Sequence, residues 1–403
     1  MSKKPTYARN PYGCIVQPRK NGLYEGIAFA FPDCQTATDA FQGKERRYMY
    51  HGTNEGNPTV REFEKAIAMG EGAHAPKKYD ALATASGMSA IDLLSRQLLL
   101  PGGEVASSPY VYGGIYNYFA NYLPLMGAQC CFAEQPNDLN SWKQAIHERT
   151  AFLFLETPAN PTSYVFDISV AVEASRWSGK PLVVDNTVPT HALQQPLKLG
   201  ANITIVSCTK GINGKSNGQG GVIVGDTAFI TALRDGWGAT VRPTMDPRCA
   251  FEMLNGMKTL TKRMQHMSDN ALKIAEWLNK HDKVKTVYYP FLDGVKWSKR
   301  IAEKQMTGGG PLLSFEIKGG KAFAWKWLDL IKKTSNRLTL APHLGHSSSL
   351  LIHPATTTHW KVPTDIQAEL GITDSLVRMS VGTETSNQLE EIINEMDQMF
   401  KQL

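Results

Sequence analysis

The sequence predicts an α/β protein with a mostly parallel sheet, helices on both of its faces, and a smaller α+β unit behind it. Three observations carry this expectation. Between residues 81 and 206, short apolar β-branched runs alternate with segments of helical spacing, the pattern of strand–helix–strand crossovers. Ser86, Tyr112, Asn160, Asp185 and Lys210 all fall at or just beyond the ends of the strand-like runs, where open parallel sheets bind ligands. Beyond residue 281 the pattern changes to separate strands over 312–317 and 376–380 and an amphipathic closing helix over 389–400, with Leu389, Ile392, Ile393 and Met396 on one face.

Residues 1–57 are rich in Gly, Pro, Tyr and Asn and lack periodicity. They read as an extended arm packed on a neighbour or on the domain surface; a partly disordered tail is the alternative. Asn57 then caps a helix with Pro58 at its first position, Val60, Phe63 and Ile67 on its apolar face, and Gly70 and Gly72 at its end. A strand over 81–85 runs into Ser86-Gly87-Met88 and a helix carrying Leu93, Leu94 and Leu98. A glycine at such a turn lets backbone N–H groups approach a phosphate at the positive helix end, although an ordinary tight turn has the same look. Strands over 104–106, 129–133, 152–155 and 182–184 alternate with helices over 115–122, 139–146 and 169–177. Residues 246–281 read as one long helix whose stripe of Phe251, Leu254, Met257, Met264, Ala271, Ile274 and Leu278 bridges the two units.

At 403 residues the chain is long enough for two full cores. The net charge of +6 is mild and dispersed, and the densest basic runs, 44–47 and 258–263, are short enough to be solvated faces. A nucleic-acid partner is therefore not expected. The N-terminal residues show no apolar leader core, and no segment reaches membrane-spanning length. The expectation is a cytoplasmic protein without a membrane partner. None of the six cysteines forms a CxxC pair, and His343, His346, His353 and His359 have no cysteine near them in sequence. No metal site is expected. Cys130 and Cys131 lie in a strand-like run as small hydrophobes.

The chemistry centres on Ile203-Thr204-Ile205-Val206-Ser207-Cys208-Thr209-Lys210. A buried-type strand here delivers a lysine to its end. Such an amine can form a Schiff base with an aldehyde cofactor, and the hydroxyls of Ser207 and Thr209 can hold a phosphate. A second strand, Leu182-Val183-Val184, ends in Asp185. Pyridoxal phosphate chemistry needs such a carboxylate against the pyridine nitrogen, so that the ring can drain electrons from a carbanion. Alone, the lysine reads as a solvated strand end and the aspartate as a turn residue. Together they supply the two parts this cofactor requires.

Val183-Val184-Asp185-Asn186-Thr187, Leu193-Gln194-Gln195-Pro196-Leu197-Lys198-Leu199-Gly200-Ala201, Ser207-Cys208-Thr209-Lys210 and Gly220-Gly221 resemble the cystathionine γ-synthase / methionine γ-lyase family. These are the pyridoxal-phosphate enzymes of cysteine and methionine metabolism, and the resemblance runs from about residue 58 to the C-terminus. It implies a fold-type-I transferase with a seven-stranded-type sheet, divided into an arm (1–57), a cofactor-binding domain (58–255) and a C-terminal domain (256–403). It implies pyridoxal 5′-phosphate on Lys210, opposite Asp185, with Ser86, Gly87, Met88, Ser207 and Thr209 near the phosphate. Tyr112 matches the tyrosine stacked on the ring, which can serve as an acid or base near the leaving group. Asn160, His343 and Arg378 fall at the positions that meet the substrate, Arg378 clamping its α-carboxylate. The implied activity is γ-elimination from a γ-substituted L-amino acid to an α-keto acid and ammonia. The alternatives are γ-replacement, as in cystathionine γ-synthases and O-acylhomoserine sulfhydrylases, and a catalytically silent protein of the same fold. Phosphate contacts shared between chains in this family imply a homotetramer built of dimers.

The match has departures. The family's Tyr-x-Arg before Asn-Pro-Thr reads here as Tyr50-His51-Gly52-Thr53-Asn54 before Asn57. Without gaps Gly52 stands at the tyrosine position and Asn54 at the arginine position; with a two-residue insertion Tyr50 keeps the tyrosine role; either way the arginine is missing unless Arg46, Arg47 or Lys215 substitutes. Lys215 stands where the family commonly has histidine. His343 takes a serine position, Pro342 the glutamate position of cystathionine lyases, and Gly114 the cysteine position of methionine γ-lyases. An altered γ-substituent, polar or cationic, is the expectation.

Overall fold

The computed structural model describes residues 22–25, 30–42, 44, 56–73, 75, 78–292 and 298–403. Tyr50, Arg46 and Arg47 lie outside the described residues. Strands β1 (Tyr79–Thr84), β2 (Glu104–Ser107), β3 (Gln129–Phe132), β4 (Thr150–Glu156), β5 (Leu182–Asp185), β6 (Ile203–Val206) and β7 (Gly221–Asp226) form one sheet in the order β1-β7-β6-β5-β4-β2-β3. From β6 to β3 every pairing is parallel, whereas β7 runs antiparallel to both β6 and β1. The runs Leu182–Asp185 and Ile203–Val206 are buried at every residue. A strand covered on both faces has this near-continuous apolar composition.

β7 is a strand that the sequence pattern did not reveal, because glycines open and interrupt it. The structure explains the first of them. A Cβ on Gly221 would lie 2.2 Å from the carbonyl oxygen of Ser86, so only glycine lets β7 pass the turn that follows β1. The helix from Gly87 to Leu98 starts at that turn, capped by Ser86, whose Oγ accepts the Ser89 N–H at 3.0 Å. The helix Pro58–Glu71 is capped by Asn57, as its sequence predicts.

A second sheet holds β8 (Val284–Tyr288), β9 (Leu312–Ile317), β10 (Thr339–Leu340), β11 (Leu350–Ile352) and β12 (Leu376–Ser380) in the order β10-β11-β12-β9-β8. Phe315, Val377 and Met379 from this sheet pack with Trp327 of helix Gly320–Thr334 and with Leu389, Ile392 and Met396 of helix Ser386–Phe400.

The single helix expected over 246–281 is two helices, Pro247–Met257 and Leu260–Asn279. The break follows Gly256, whose backbone would collide with the chain at Ile212 if it carried a Cβ (2.2 Å) and whose carbonyl accepts Arg263 Nη2 at 3.0 Å. The break also moves the buried face. Ala250, Met253 and Gly256 are buried in the first helix, while Phe251, Leu254 and Met257 are half-buried. The second helix does bridge: Met264 and Met267 join the core under the first sheet, and Ala271, Ile274 and Leu278 the core under the second. The expected helix over 115–122 begins earlier, at Gly113, and becomes a π-helical turn over Tyr118–Tyr122.

Candidate active site

The carboxyl ends of β1, β2, β4, β5 and β6 face a cavity of about 320 Å³. Ser86, Gly87 and Met88 reach it from the turn after β1, Tyr112 from the loop after β2, and Asn160 from the loop after β4. Asp185 reaches it as the last residue of β5, and Ser207, Thr209 and Lys210 from the loop after β6. Arg378 enters from β12 of the second sheet. The fold thus gathers ten of the residues singled out in the sequence around one space.

Lys210 Nζ lies 3.2 Å from His343 Nδ1. A lysine ammonium only donates, so the imidazole nitrogen accepts and the ring proton sits on Nε2. That Nε2 is buried, with no partner among the described residues. Burial, with the Arg378 charge second, lowers Lys210 to about 8. Burial likewise lowers His343 to about 4, so its ring is neutral near pH 7. The side chain of His343 therefore meets the lysine in this structure, and its neighbours Pro342 and Leu344 line the cavity. The loop is held there by Gly345 at φ +73°, where a Cβ would lie 2.8 Å from the Gly211 nitrogen.

Arg378 is 2 % exposed. Its Nη1 donates to Asn160 Oδ1 at 3.1 Å and its Nη2 to the His343 carbonyl at 3.1 Å. Its Nε is buried, with no partner among the described residues. Both acceptors are neutral, and burial lowers the guanidinium to about 10. Among the described residues no carboxylate forms an ion pair with it. A buried cation without a counter-charge is costly, so the arrangement suits an anionic ligand.

On the floor, Asp185 Oδ1 accepts the Thr187 N–H at 2.9 Å. Strand register sets Asp185 beside Glu156, the last residue of β4. Glu156 was not visible in the sequence as a site residue. Its Oε2 accepts the Tyr112 N–H at 2.7 Å and its Oε1 the Asn160 N–H at 2.9 Å, so one carboxylate fixes both loops. Burial raises both acids, and the charge of Asp185 raises Glu156 further. His359 is a second supporting residue that sequence reasoning missed. Its Nε2 accepts the Gly113 N–H at 3.1 Å, just after Tyr112, and burial lowers it to about 3. Arg263, read in the sequence as part of a solvated basic run, donates to the Gly211 carbonyl at 2.6 Å and braces the chain after Lys210.

Two expectations need adjustment. The Thr209 hydroxyl is engaged with both backbone groups of Gly220, each at 3.1 Å, so its oxygen is shared with the loop. Lys215 is exposed and lies outside the cavity lining. Among the described residues the cations lining the cavity are Lys210 and Arg378. Gly114 has a steric role. A Cβ there would meet the Tyr112 ring at 2.5 Å, so Gly114→Cys should displace that ring. Turnover of this variant is expected to fall by at least about tenfold with an unchanged melting temperature. A variant that turns over like the wild type would remove the ring from the reaction.

The donor set fits pyridoxal phosphate. An amine stands over one side and a buried carboxylate at the floor. The first-turn amides of Gly87 and Met88 have no acceptor within their helix, and they open a positive helix end to a phosphate. A Cβ on Gly87 would fill that cradle, lying 2.8 Å from Ser207 Cβ.

Comparison with known proteins agrees. Residues 12–401 match the model of a family described as Cys/Met metabolism PLP-dependent enzymes. The chain is 37 % identical to O-succinylhomoserine sulfhydrylase of Pseudomonas aeruginosa, over 91 % of this chain and 88 % of that protein. It is 35 % identical to L-methionine gamma-lyase of Fusobacterium nucleatum subsp. polymorphum, over 98 % and 95 %. A putative O-acetylhomoserine (thiol)-lyase of Campylobacter jejuni, solved with N′-pyridoxyl-lysine-5′-monophosphate, superposes with a TM-score of 0.88 at 25 % identity, covering 96 % of this chain and 97 % of that one. With its fold-type-I architecture and a site suited to pyridoxal 5′-phosphate, the chain belongs to the Cys/Met metabolism family of PLP-dependent enzymes.

Proposed function

We propose that this enzyme eliminates a γ-substituent from an L-amino acid and, with the uptake of one water, gives an α-keto acid, ammonia and the protonated released group. The observation that carries the reading is the buried guanidinium of Arg378, without a carboxylate partner among the described residues, on the same cavity as the Lys210 amine. Arg378 would bind the α-carboxylate through the nitrogens now spent on neutral oxygens, its planar fork suiting a bidentate anion. That contact would hold the α-carbon near Lys210. Pyridoxal phosphate supplies an electron sink for charge formed at that carbon. Lys210, with its lowered basicity, would take the α-proton while neutral and give it back once cationic. His343 would receive the amine when it is free. Tyr112, 39 % exposed at the cavity mouth, would serve the departing group. Ser86, Gly87, Met88 and Ser207 would hold the phosphate, with Tyr50 the family-implied further contact. Assembly as a homotetramer and a cytoplasmic location belong to the same reading.

A second reading, γ-replacement, is favoured by a vestibule. A cavity of about 560 Å³ adjoins the site at Tyr112 and Pro342 and is lined by Asn117, Thr356, Thr358, Trp360 and Lys361. It has room for an incoming nucleophile, and the relatives include sulfhydrylases. The test is α-keto acid release from thioether, O-acyl and cationic γ-substituted amino acids, with and without added thiol. Keto acid without thiol is the expected result. Thioether formed only with thiol would establish replacement instead. A cofactor-loaded protein that turns over none of the panel would sink both readings.

A further inference from the structure

At the other end of the sheet lies a side-chain cluster that the active site does not use. Glu104 opens β2, Cys131 sits on β3, and His147 follows the helix Leu139–Ala145. Register pairs Glu104 with Gln129 and Ala106 with Cys131. Alternation along the strands therefore puts Glu104 and Cys131 on one face. His147 Nδ1 lies 2.8 Å from Glu104 Oε2 and 3.6 Å from Cys131 Sγ, and the sulfur lies 4.0 Å from the same carboxylate oxygen. A single ring nitrogen thus faces both other groups. It can donate to the carboxylate or accept from the thiol, not both, so one contact goes unmade.

We propose that Glu104, Cys131 and His147 form a binding site for a divalent ion of the zinc type. Thiolate, imidazole and carboxylate are the donors such ions take. Bond lengths of about 2.0–2.3 Å around a tetrahedral ion set its ligand atoms about 3.4–3.6 Å apart. The sulfur–nitrogen separation of 3.6 Å already matches, and the sulfur–oxygen separation of 4.0 Å is close. The histidine–carboxylate pair must open by about 0.5 Å and the sulfur–oxygen pair close by about 0.4 Å as the ion takes the place of the proton. The side chain of His147 is 52 % exposed, which leaves solvent access for a water in the fourth position. Among the described residues, the ion pair given to Glu104 is the one with His147. Partial burial and the Glu104 charge raise the Cys131 thiol, so its proton must leave as the ion binds. The bound ion would tie edge strand β3 to β2 and to the chain entering β4, stabilising the sheet edge without touching turnover.

The test titrates the holoenzyme with Zn²⁺ by calorimetry and with Co²⁺ by absorbance. The expected result is one ion per chain, with the intense red-region absorption of tetrahedral thiolate-bound Co²⁺ lying outside the cofactor's bands. The melting temperature should rise at saturation, and affinity should fall at least about tenfold for each pH unit below neutrality. Cys131→Ser and His147→Ala should each abolish the site while keeping the cofactor spectrum and turnover of the wild type. Absence of stoichiometric binding to the wild type, or its persistence in either correctly folded variant, would overturn the proposal.

Discussion

Lys210→Ala is expected to lower turnover by about 10⁴-fold or more, since it removes both the covalent anchor and the proton carrier. The fold should be unaffected, because among the described residues the amine's one hydrogen bond is to His343 and its removal relieves a buried cation. Borohydride reduction followed by peptide mapping should fix the cofactor to Lys210 in the wild type and to no lysine in the variant. Retained turnover within about tenfold, or label on a different lysine, would refute the assignment. The pH dependence has a definite sign. Only a neutral amine attacks an aldehyde, and burial brings Lys210 down to about 8. At pH 7 about a tenth of such amines are neutral, against less than about one in a thousand for an ordinary lysine. Cofactor uptake by the apoenzyme should therefore accelerate as pH rises and level off above about 8. Arg378→Gln removes the second cause of the shift and should move that midpoint upward.

How much of this was legible in the sequence depends on what holds each residue. Lys210 and Asp185 end β-branched runs whose burial follows from composition, so strand and residue are read together. Arg378 stands in an apolar run and resembles a buried strand residue, which β12 is. Glu156 also ends a strand, but an acid before Thr157-Pro158 reads equally as a turn. Its meaning comes from two backbone N–H groups, one of them 44 residues away. His359 acts on Gly113 across 246 residues, and Glu104, Cys131 and His147 meet only through sheet register. Local periodicity carries no trace of such pairings. β7 was missed because its opening glycine is demanded by the approach of the Ser86 turn, a tertiary fact that locally looks like a strand breaker. The long helix was misjudged for a related reason: Arg263 takes a carbonyl from the helical ladder.

Asp185→Asn is expected to cost about 10²–10⁴-fold in turnover, because an amide cannot hold a proton on the pyridine nitrogen. The paired carboxylates make its effect on stability run the other way. In the apoenzyme Asp185 and Glu156 share a buried site on neighbouring strands. Burial raises Asp185 above its unfolded value. A raised acid binds more protons folded than unfolded, so the stability it contributes is greatest below the unfolded pKa of about 4 and is lost as pH rises. Relative to Asp185→Asn, the wild-type apoenzyme should therefore lose melting temperature as pH rises from 5 to 7.5, so that the substitution removes a pH-dependent loss. Bound cofactor should do the same in the wild type, since the pyridinium gives Asp185 the counter-charge it lacks. Glu156→Gln separates the two roles. Both of its oxygens accept backbone N–H groups, so an amide there leaves one donor unmet at about 1–3 kcal/mol. That variant should lose stability in apo and holo forms alike and keep a protonated ring. Equal spectra and equal melting curves for the two variants would show that the carboxylates do not divide the work in this way. The expected divergence, an inactive but stable Asp185→Asn beside an active but loosened Glu156→Gln, would assign the charge at the cofactor to Asp185 and the positioning of Tyr112 and Asn160 to Glu156.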